Sequence, residues 1–324
     1  MKGILSLYSL KGIACLMVVM GHIPSIVRSP LSPILNGVPL FLMISGYFLY
    51  TTDGKELARK ALHQLKKIIC IILCVHTVYA IYSIVRAGFF STYTFPIHTW
   101  NDFFNWLFFG TKLGDGVLWY LHAYAWSLLF LWLFSRNGKL RYMQWLPFLL
   151  VFYLVLGRYQ FLFPFEISNF GVRRNCFTVG LPYIAIGFLV HKYESVLRNI
   201  VSRKIISVLL CCLIMVYGEI ALLTLLGCNN HFGDFIFSIP LSVTLFTLMA
   251  LHPTRKLSSW LVCLGRDHSA NIYYWHMLVA GLCSLAGMYV ESVQVIIVFG
   301  FSLLLSIAIR SLRTIPHHTS RERI

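Results

Sequence analysis

The chain has 324 residues, of which 58% are hydrophobic and 12% are charged. Soluble domains carry roughly twice that share of charge, so water is excluded as the main surrounding medium. The net charge of +16 does not point to nucleic acid, because Lys and Arg are scattered over many short links and form no single basic stripe.

The mean hydropathy of +0.75 comes in blocks of about 20 residues, the length that crosses a bilayer core. Backbone groups in hydrocarbon must be satisfied within their own segment, so the blocks read as helices. No alternating pattern of a membrane barrel is present. Expected spans are residues 4–24, 35–51, 68–87, 117–135, 144–163, 174–191, 205–227, 235–251, 269–287 and 293–312. The fold class is therefore all-α: a polytopic membrane protein of about ten transmembrane helices around an internal polar cavity.

The links test the topology. With both termini in the cytoplasm, Lys55, Arg59, Lys60, Lys66 and Lys67 fall inside, as do Arg136, Lys139 and Arg141. Lys192, Arg198, Arg203, Lys204, Arg255 and Lys256 follow, and the tail adds Arg310, Arg313, Arg321 and Arg323. The outer links hold few cations, among them Arg28, Lys112 and Arg173. That asymmetry obeys the positive-inside rule. The longest outer link, roughly 88–116, contains Phe89, Phe90, Trp100, Phe103, Phe104, Trp106 and Phe108, which predicts one or two short amphipathic segments in the interface.

No linker or internal repeat interrupts residues 1–324, and the expectation is a single membrane domain without a soluble one. Lys11 breaks the first apolar run and no small-residue cleavage site follows it, so the start does not read as a cleavable signal. Nine cysteines, including Cys70, Cys74 and the adjacent Cys211 and Cys212, show no CxxC or Cys/His metal spacing and read as free thiols.

An ionisable residue inside a span is costly and marks a candidate site. The first span has two, Lys11 and His22. Eleven positions are about three turns, so the two side chains share one helix face, roughly 16 Å apart along the axis. A plainer account has Lys11 snorkelling to the interface and His22 bonding a neighbouring helix. Glu219 is a third intramembrane charge, with no partner evident from the sequence. His76, His122 and His191 read as structural, and His317 and His318 are too few to make a metal site.

The words around these residues carry a resemblance. Lys11-Gly12-Ile13-Ala14 leads to Gly21-His22, and the next span holds Gly37-Val38-Pro39-Leu40-Phe41 and Ile44-Ser45-Gly46-Tyr47. Leu118-Trp119-Tyr120-Leu121 opens the fourth span. Arg174-Asn175, Gly180-Leu181-Pro182-Tyr183 and Gly187-Phe188-Leu189 open the sixth. Leu264-Gly265-Arg266, Ser269 and Ile272-Tyr273-Tyr274-Trp275-His276 lead into the ninth. In order and spacing this resembles the acyltransferase-3 family of bacterial membrane acyltransferases. The family's first basic residue is commonly Arg; Lys11 keeps the charge and loses the planar fork. The family's extra soluble domain, present in some members, is not expected here.

The resemblance implies acyl transfer, usually of acetyl from acetyl-CoA, to a hydroxyl or amine of an envelope glycan or glycolipid. It implies a multi-pass protein of the bacterial cytoplasmic membrane, with lipid, acyl-CoA and a lipid-linked or polymeric sugar as partners. Acyl-CoA is then a co-substrate; no bound cofactor, metal or nucleic acid is expected. His22 is the expected catalytic residue, as general base or as transient acyl carrier. Lys11, Arg59, Lys60, Lys66 and Lys67 are the expected cations for the donor's phosphates, and Trp119, Arg174, Asn175 and His276 are expected at the acceptor side or along the cavity. Ser45 with Gly46 suits close helix packing better than nucleophilic catalysis. Two other classes compete: a transporter or flippase of envelope lipid or glycan, and an inactive scaffold. Against transport stands the absence of repeated halves.

Overall fold

The computed structural model describes residues 4–24, 31–89, 95–113, 116–164, 169–200, 202–228, 233–288 and 290–314. Arg28, Phe90, His317, His318, Arg321 and Arg323 lie outside the described residues, as do the side chains of Phe89 and Arg313. Among the described residues there is helix and no strand. The main helices are α1 (Leu5–His22), α2 (Gly37–Leu49), α3 (Gly54–Phe89), α4 (Trp100–Phe109), α5 (Trp119–Arg136), α6 (Leu150–Leu156), α7 (Leu181–Lys192), α8 (Ser202–Leu225), α9 (Ser238–Ala250), α10 (Ser269–Leu285) and α11 (Gln294–Thr314). Helix stands at each segment where a span is expected. Four of these helices, α1, α3, α8 and α11, are by themselves long and apolar enough to cross a membrane.

Three helices depart from the expected segments for local reasons. α3 begins at Gly54, fourteen residues before the expected 68, and runs for 36 residues. The Asp53 carboxylate accepts the Lys55 N–H at 2.9 Å, and Glu56 pairs with Lys60 one turn on at 3.1 Å. The cations placed in a link therefore sit on a helix. The expected span 144–163 is broken: a 3₁₀ stretch Leu140–Leu149 contains Pro147, which has no N–H for the ladder, and α6 stops before Gly157. The third departure is at the sixth span, where the wider turn Cys176–Gly180 precedes α7. Asn175 caps it, its side-chain oxygen accepting from Phe177 N at 2.8 Å and Thr178 N at 3.2 Å.

Burial shows what surrounds the bundle. On α3, Leu57, Ala61, Leu65, Ile68, Ile72, Val75 and Tyr79 are buried, a stripe at the three-to-four-residue helical spacing. The other faces of α3 expose Ile69, Leu73, Ile81 and Ile84, and α8 exposes Leu210, Ile214, Leu222 and Leu225. Aliphatic side chains turned outward along long helices fit hydrocarbon, not water.

The link 95–113 contains a single ten-residue helix, α4. Thr99 and Asp102 form a reciprocal capping box, and Gly110 ends the helix in the left-handed region (φ 65°). Trp100, Phe103, Phe104 and Phe108 are exposed, while Trp106 turns inward. Trp106 Nε1–H donates to His76 Nδ1 at 3.0 Å, which leaves His76 Nε2–H to donate to His122 Nε2 at 3.0 Å. His122 Nδ1–H then donates to Leu107 O at 2.9 Å. This relay satisfies both imidazoles in neutral form and pins α4 to α3 and α5.

The central helices touch at glycines. A Cβ on Gly46 of α2 would lie 2.0 Å from Ile184 O of α7, and one on Gly187 would lie 1.9 Å from Met43 O. A Cβ on Gly265 would lie 1.9 Å from Tyr8 O of α1. Without a hydrophobic force between helices in lipid, such close approach supplies the packing energy.

Candidate functional site

α1 carries both intramembrane cation candidates, and each lines its own cavity. Lys11 lines a cavity of about 510 Å³ toward the start of α1, together with Lys60, His63, Gln64 and Lys67 of α3. Positions 60, 63, 64 and 67 recur at three and four residues and so share one helix face. Arg59 and Lys66 are exposed on the neighbouring face and do not line it. Lys60 is also engaged by Glu56 at 3.1 Å and by Tyr50 O at 3.4 Å. Ser45 lines the same cavity with its hydroxyl donated to Phe41 O at 3.0 Å, one turn back in its own helix. His63 and Gln64 went unnoticed in the sequence; the i, i+3, i+4, i+7 pattern with Lys60 and Lys67 was the signal that would have found them.

His22 lines a second cavity, of about 940 Å³, at the other end of α1. Its Nδ1 lies 2.8 Å from Val18 O, an acceptor only, so Nδ1 carries a proton that it donates there. Trp119 and Arg174 line this cavity too, with the guanidinium carbon 5.7 Å from the Trp119 ring centre and 5.2 Å from that of Phe170. Four further lining residues were missed by sequence reading: Asn36, Tyr153, Arg158 and Asp234. Tyr153 hydrogen-bonds both Arg174 and Asp234, and Asn36 donates to the same carboxylate. Removal from water pushes the Asp234 carboxyl above its ordinary pKa, with Arg174 pulling the other way. Arg158 donates to Gly233 O at 2.8 Å and covers the Phe235 ring at 4.1 Å. Asp234 gives no sequence signal because its partners lie some 60 to 200 positions away.

The remaining expected residues surround the second cavity without lining it. Asn175 donates its amide to Gly171 O at 3.2 Å and Val172 O at 2.7 Å, besides capping the turn that follows. It shapes the backbone that carries Arg174. His276 is fully buried, its ring 5.5 Å from that of His22 and 6.1 Å from that of Tyr273. Tyr273 lines the Lys11 cavity. The two cavities share no lining residue, so His276 and Tyr273 bridge the interval between them.

Glu219 of α8 has its partners here as well. It accepts from Tyr159 O–H, from Ile236 N at 2.8 Å and from Phe237 N at 3.1 Å. The carboxylate thus pairs with main-chain N–H groups of the turn that leads into α9.

A helical chain with outward-facing aliphatic flanks and four helices long and apolar enough to cross a membrane has the architecture of an integral membrane protein, with a lysine and a histidine of one helix each lining a cavity. A family model described as an acyltransferase domain matches residues 4–311, nearly the whole chain. The chain belongs to this family, the acyltransferase-3 family, and is a membrane acyltransferase. No curated protein and no solved structure gives a match.

Proposed function

We propose that the chain transfers an acetyl group from acetyl-CoA to a hydroxyl, or an amine, of an envelope glycan or glycolipid. The observation that carries this reading is the division of α1 between two cavities, Lys11 with Lys60 and Lys67 in one and His22 with Arg174 and Asp234 in the other. A polyanionic donor suits the first and a hydroxyl-rich acceptor the second. The distribution of Lys and Arg supports a bacterial cytoplasmic membrane topology of ten spans, with both termini and the Lys11 cavity facing the cytoplasm. Residues 1–324 then work as one membrane domain.

In this reading the phosphates of acetyl-CoA meet Lys11, Lys60 and Lys67 electrostatically, with Arg59 and Lys66 attracting the donor from the rim. The pantetheine arm passes along α1 and brings the thioester to His22. His22 Nε2 takes the acceptor's proton as its oxygen attacks the thioester carbon; the C–O bond forms, the C–S bond breaks, and the departing thiolate takes the proton from His22. The same placement accommodates a transient acyl-imidazole on His22. Trp119 and Arg174 stand where a sugar ring is to be held.

Membranes incubated with radiolabelled acetyl-CoA and an envelope glycan fraction test this. Label is expected to enter the glycan, with His22→Ala lowering the rate at least about a hundredfold, the factor general base catalysis supplies. Lys11→Met is expected to raise KM for acetyl-CoA roughly tenfold at equal protein level. Full transfer by His22→Ala refutes the reading, and relocation of glycan that needs no acetyl-CoA favours a transporter.

A further inference from the structure

The two cavities share no lining residue, yet both reach the surface of the bundle. His63 and Lys67 of the first are exposed, as are Pro24 and Glu291 of the second. The interval between them is what keeps a water path from crossing the bundle. On α2, Gly37, Val38 and Pro39 line the His22 cavity, and Phe41 is the first residue after them to line the Lys11 cavity. On α5, Trp119 lines the His22 cavity and Tyr120 the Lys11 cavity. On α10, Tyr273 lines the Lys11 cavity, and one turn on the His276 ring lies 5.5 Å from that of His22. Phe41, Tyr120 and Tyr273 thus stand at the boundary, each on its own helix.

Their rings meet there. Centres are 5.3 Å apart for Tyr120 and Tyr273, 6.2 Å for Phe41 and Tyr120, and 6.3 Å for Phe41 and Tyr273. All three distances are those of aromatic pairs in contact. Two of the rings are tied in place: Tyr273 O–H donates to Val117 O, and the Tyr120 hydroxyl is hydrogen-bonded to Ser45. Phe41 has no polar atom and is held by packing alone. An apolar constriction of this kind excludes water and ions, because neither finds partners in it. We propose that Phe41, Tyr120 and Tyr273 form the seal between the Lys11 and His22 cavities, and that Phe41 is the member a donor displaces. Only an uncharged arm passes this seal. The Lys60 ammonium meets α2 at Tyr50 O, nine residues and about 13 Å along the helix from Phe41, so the donor's phosphates stay behind. The selection of donors rests on the acyl-transfer reading above; the seal itself does not.

Purified protein in liposomes tests the seal. Vesicles loaded with a pH-sensitive dye, under an imposed pH gradient with valinomycin and potassium to balance charge, read the proton flux. Phe41→Ala is expected to raise that flux at least about tenfold over wild type, one decade for each modest step in barrier height. Free CoA on both sides of the membrane is expected to bring it back toward the wild-type rate, because its arm fills the opened place. Phe41→Leu, with an apolar side chain of intermediate size, is expected to leak less than Ala and serves where Ala does not fold. Phe152→Ala is the control: this phenylalanine of α6 is 57% exposed, and its loss is expected to leave the flux unchanged. Wild-type flux in the Phe41 variants overturns the seal, as does an equal leak in Phe152→Ala. A leak that saturating CoA does not lower overturns the placing of Phe41 on the donor's path. If His22→Ala retains full acetyl transfer, the acyl-transfer reading fails while the flux still decides the seal.

Discussion

Gly187→Ala asks whether the α2–α7 crossing holds the site together. The new Cβ would stand 1.9 Å from Met43 O, and since real Cβ atoms essentially never come within 3.0 Å, the helices must part by at least about an ångström. Main-chain oxygen cannot rotate away as a side chain does, so the strain falls on the packing of the whole crossing. Overpacking of this kind costs about 1–3 kcal/mol. That corresponds to a fall of roughly 3–10 °C in the unfolding midpoint in detergent, taking a few degrees per kcal/mol. α2 lines both cavities, through Phe41 and Ser45 on one side and Gly37, Val38 and Pro39 on the other, so acyl transfer is expected to fall with stability. Gly218→Ala is the matched control: it lies within α8 and its Cβ would meet nothing within 4 Å. There Ala is expected to stabilise by about 0.5–1 kcal/mol through helix propensity alone. Midpoints from differential scanning fluorimetry decide the matter. Equal midpoints for Gly187→Ala and wild type, or a lower one for Gly218→Ala, would show that contact geometry at these glycines does not control stability.

Asp267, before α10, is clamped by Arg266 at 2.9 Å and by Arg310 of α11 at 2.6 Å, and the Arg266 hydrogen bonds bring its carboxyl down to about 2. A lowered carboxyl pKa contributes stability above its ordinary value of about 4, a contribution lost as pH falls toward 2, and both arginines are half exposed, so about 1–2 kcal/mol is expected. Asp267→Asn should therefore unfold more easily than wild type at pH 7, with the gap closing between pH 4 and 2; a gap that does not vary with pH contradicts the clamp. Trp106→Phe removes the donor to His76 Nδ1 and leaves that buried nitrogen unpaired, for about 1–3 kcal/mol. Its mark is faster hydrogen exchange across residues 100–109, with α7 unaffected; unchanged exchange there means that the relay does not hold α4.

Much of the candidate site was legible in α1 alone. The eleven-residue spacing puts Lys11 and His22 on one face at opposite ends of the helix, and helical period is enough for that, because it is a property of one segment. The same reasoning did not separate Lys60 and Lys67 from Arg59 and Lys66. All four are cations within nine residues, and only the neighbours packed on α3 decide which face looks into a cavity. Pro147 stands in the sequence, but the apolar run continues through it, so hydropathy alone does not show the break. Glu219 could not be paired from the sequence, since Tyr159 and the backbone of 236 and 237 are recruited from elsewhere in the chain.

By itself the sequence determined the medium, the helical class and the family, and singled out the first pair of polar residues, all of which depend on composition, period and short words. The tertiary structure alone decided that Lys11 and His22 open into different cavities, that Asn36, Tyr153 and Asp234 gather round Arg174, and that His276 faces His22. These are facts about helix crossings. A crossing is set by backbones meeting at small residues far apart in the chain, and the periodicity of one helix carries no information about the neighbour that covers it.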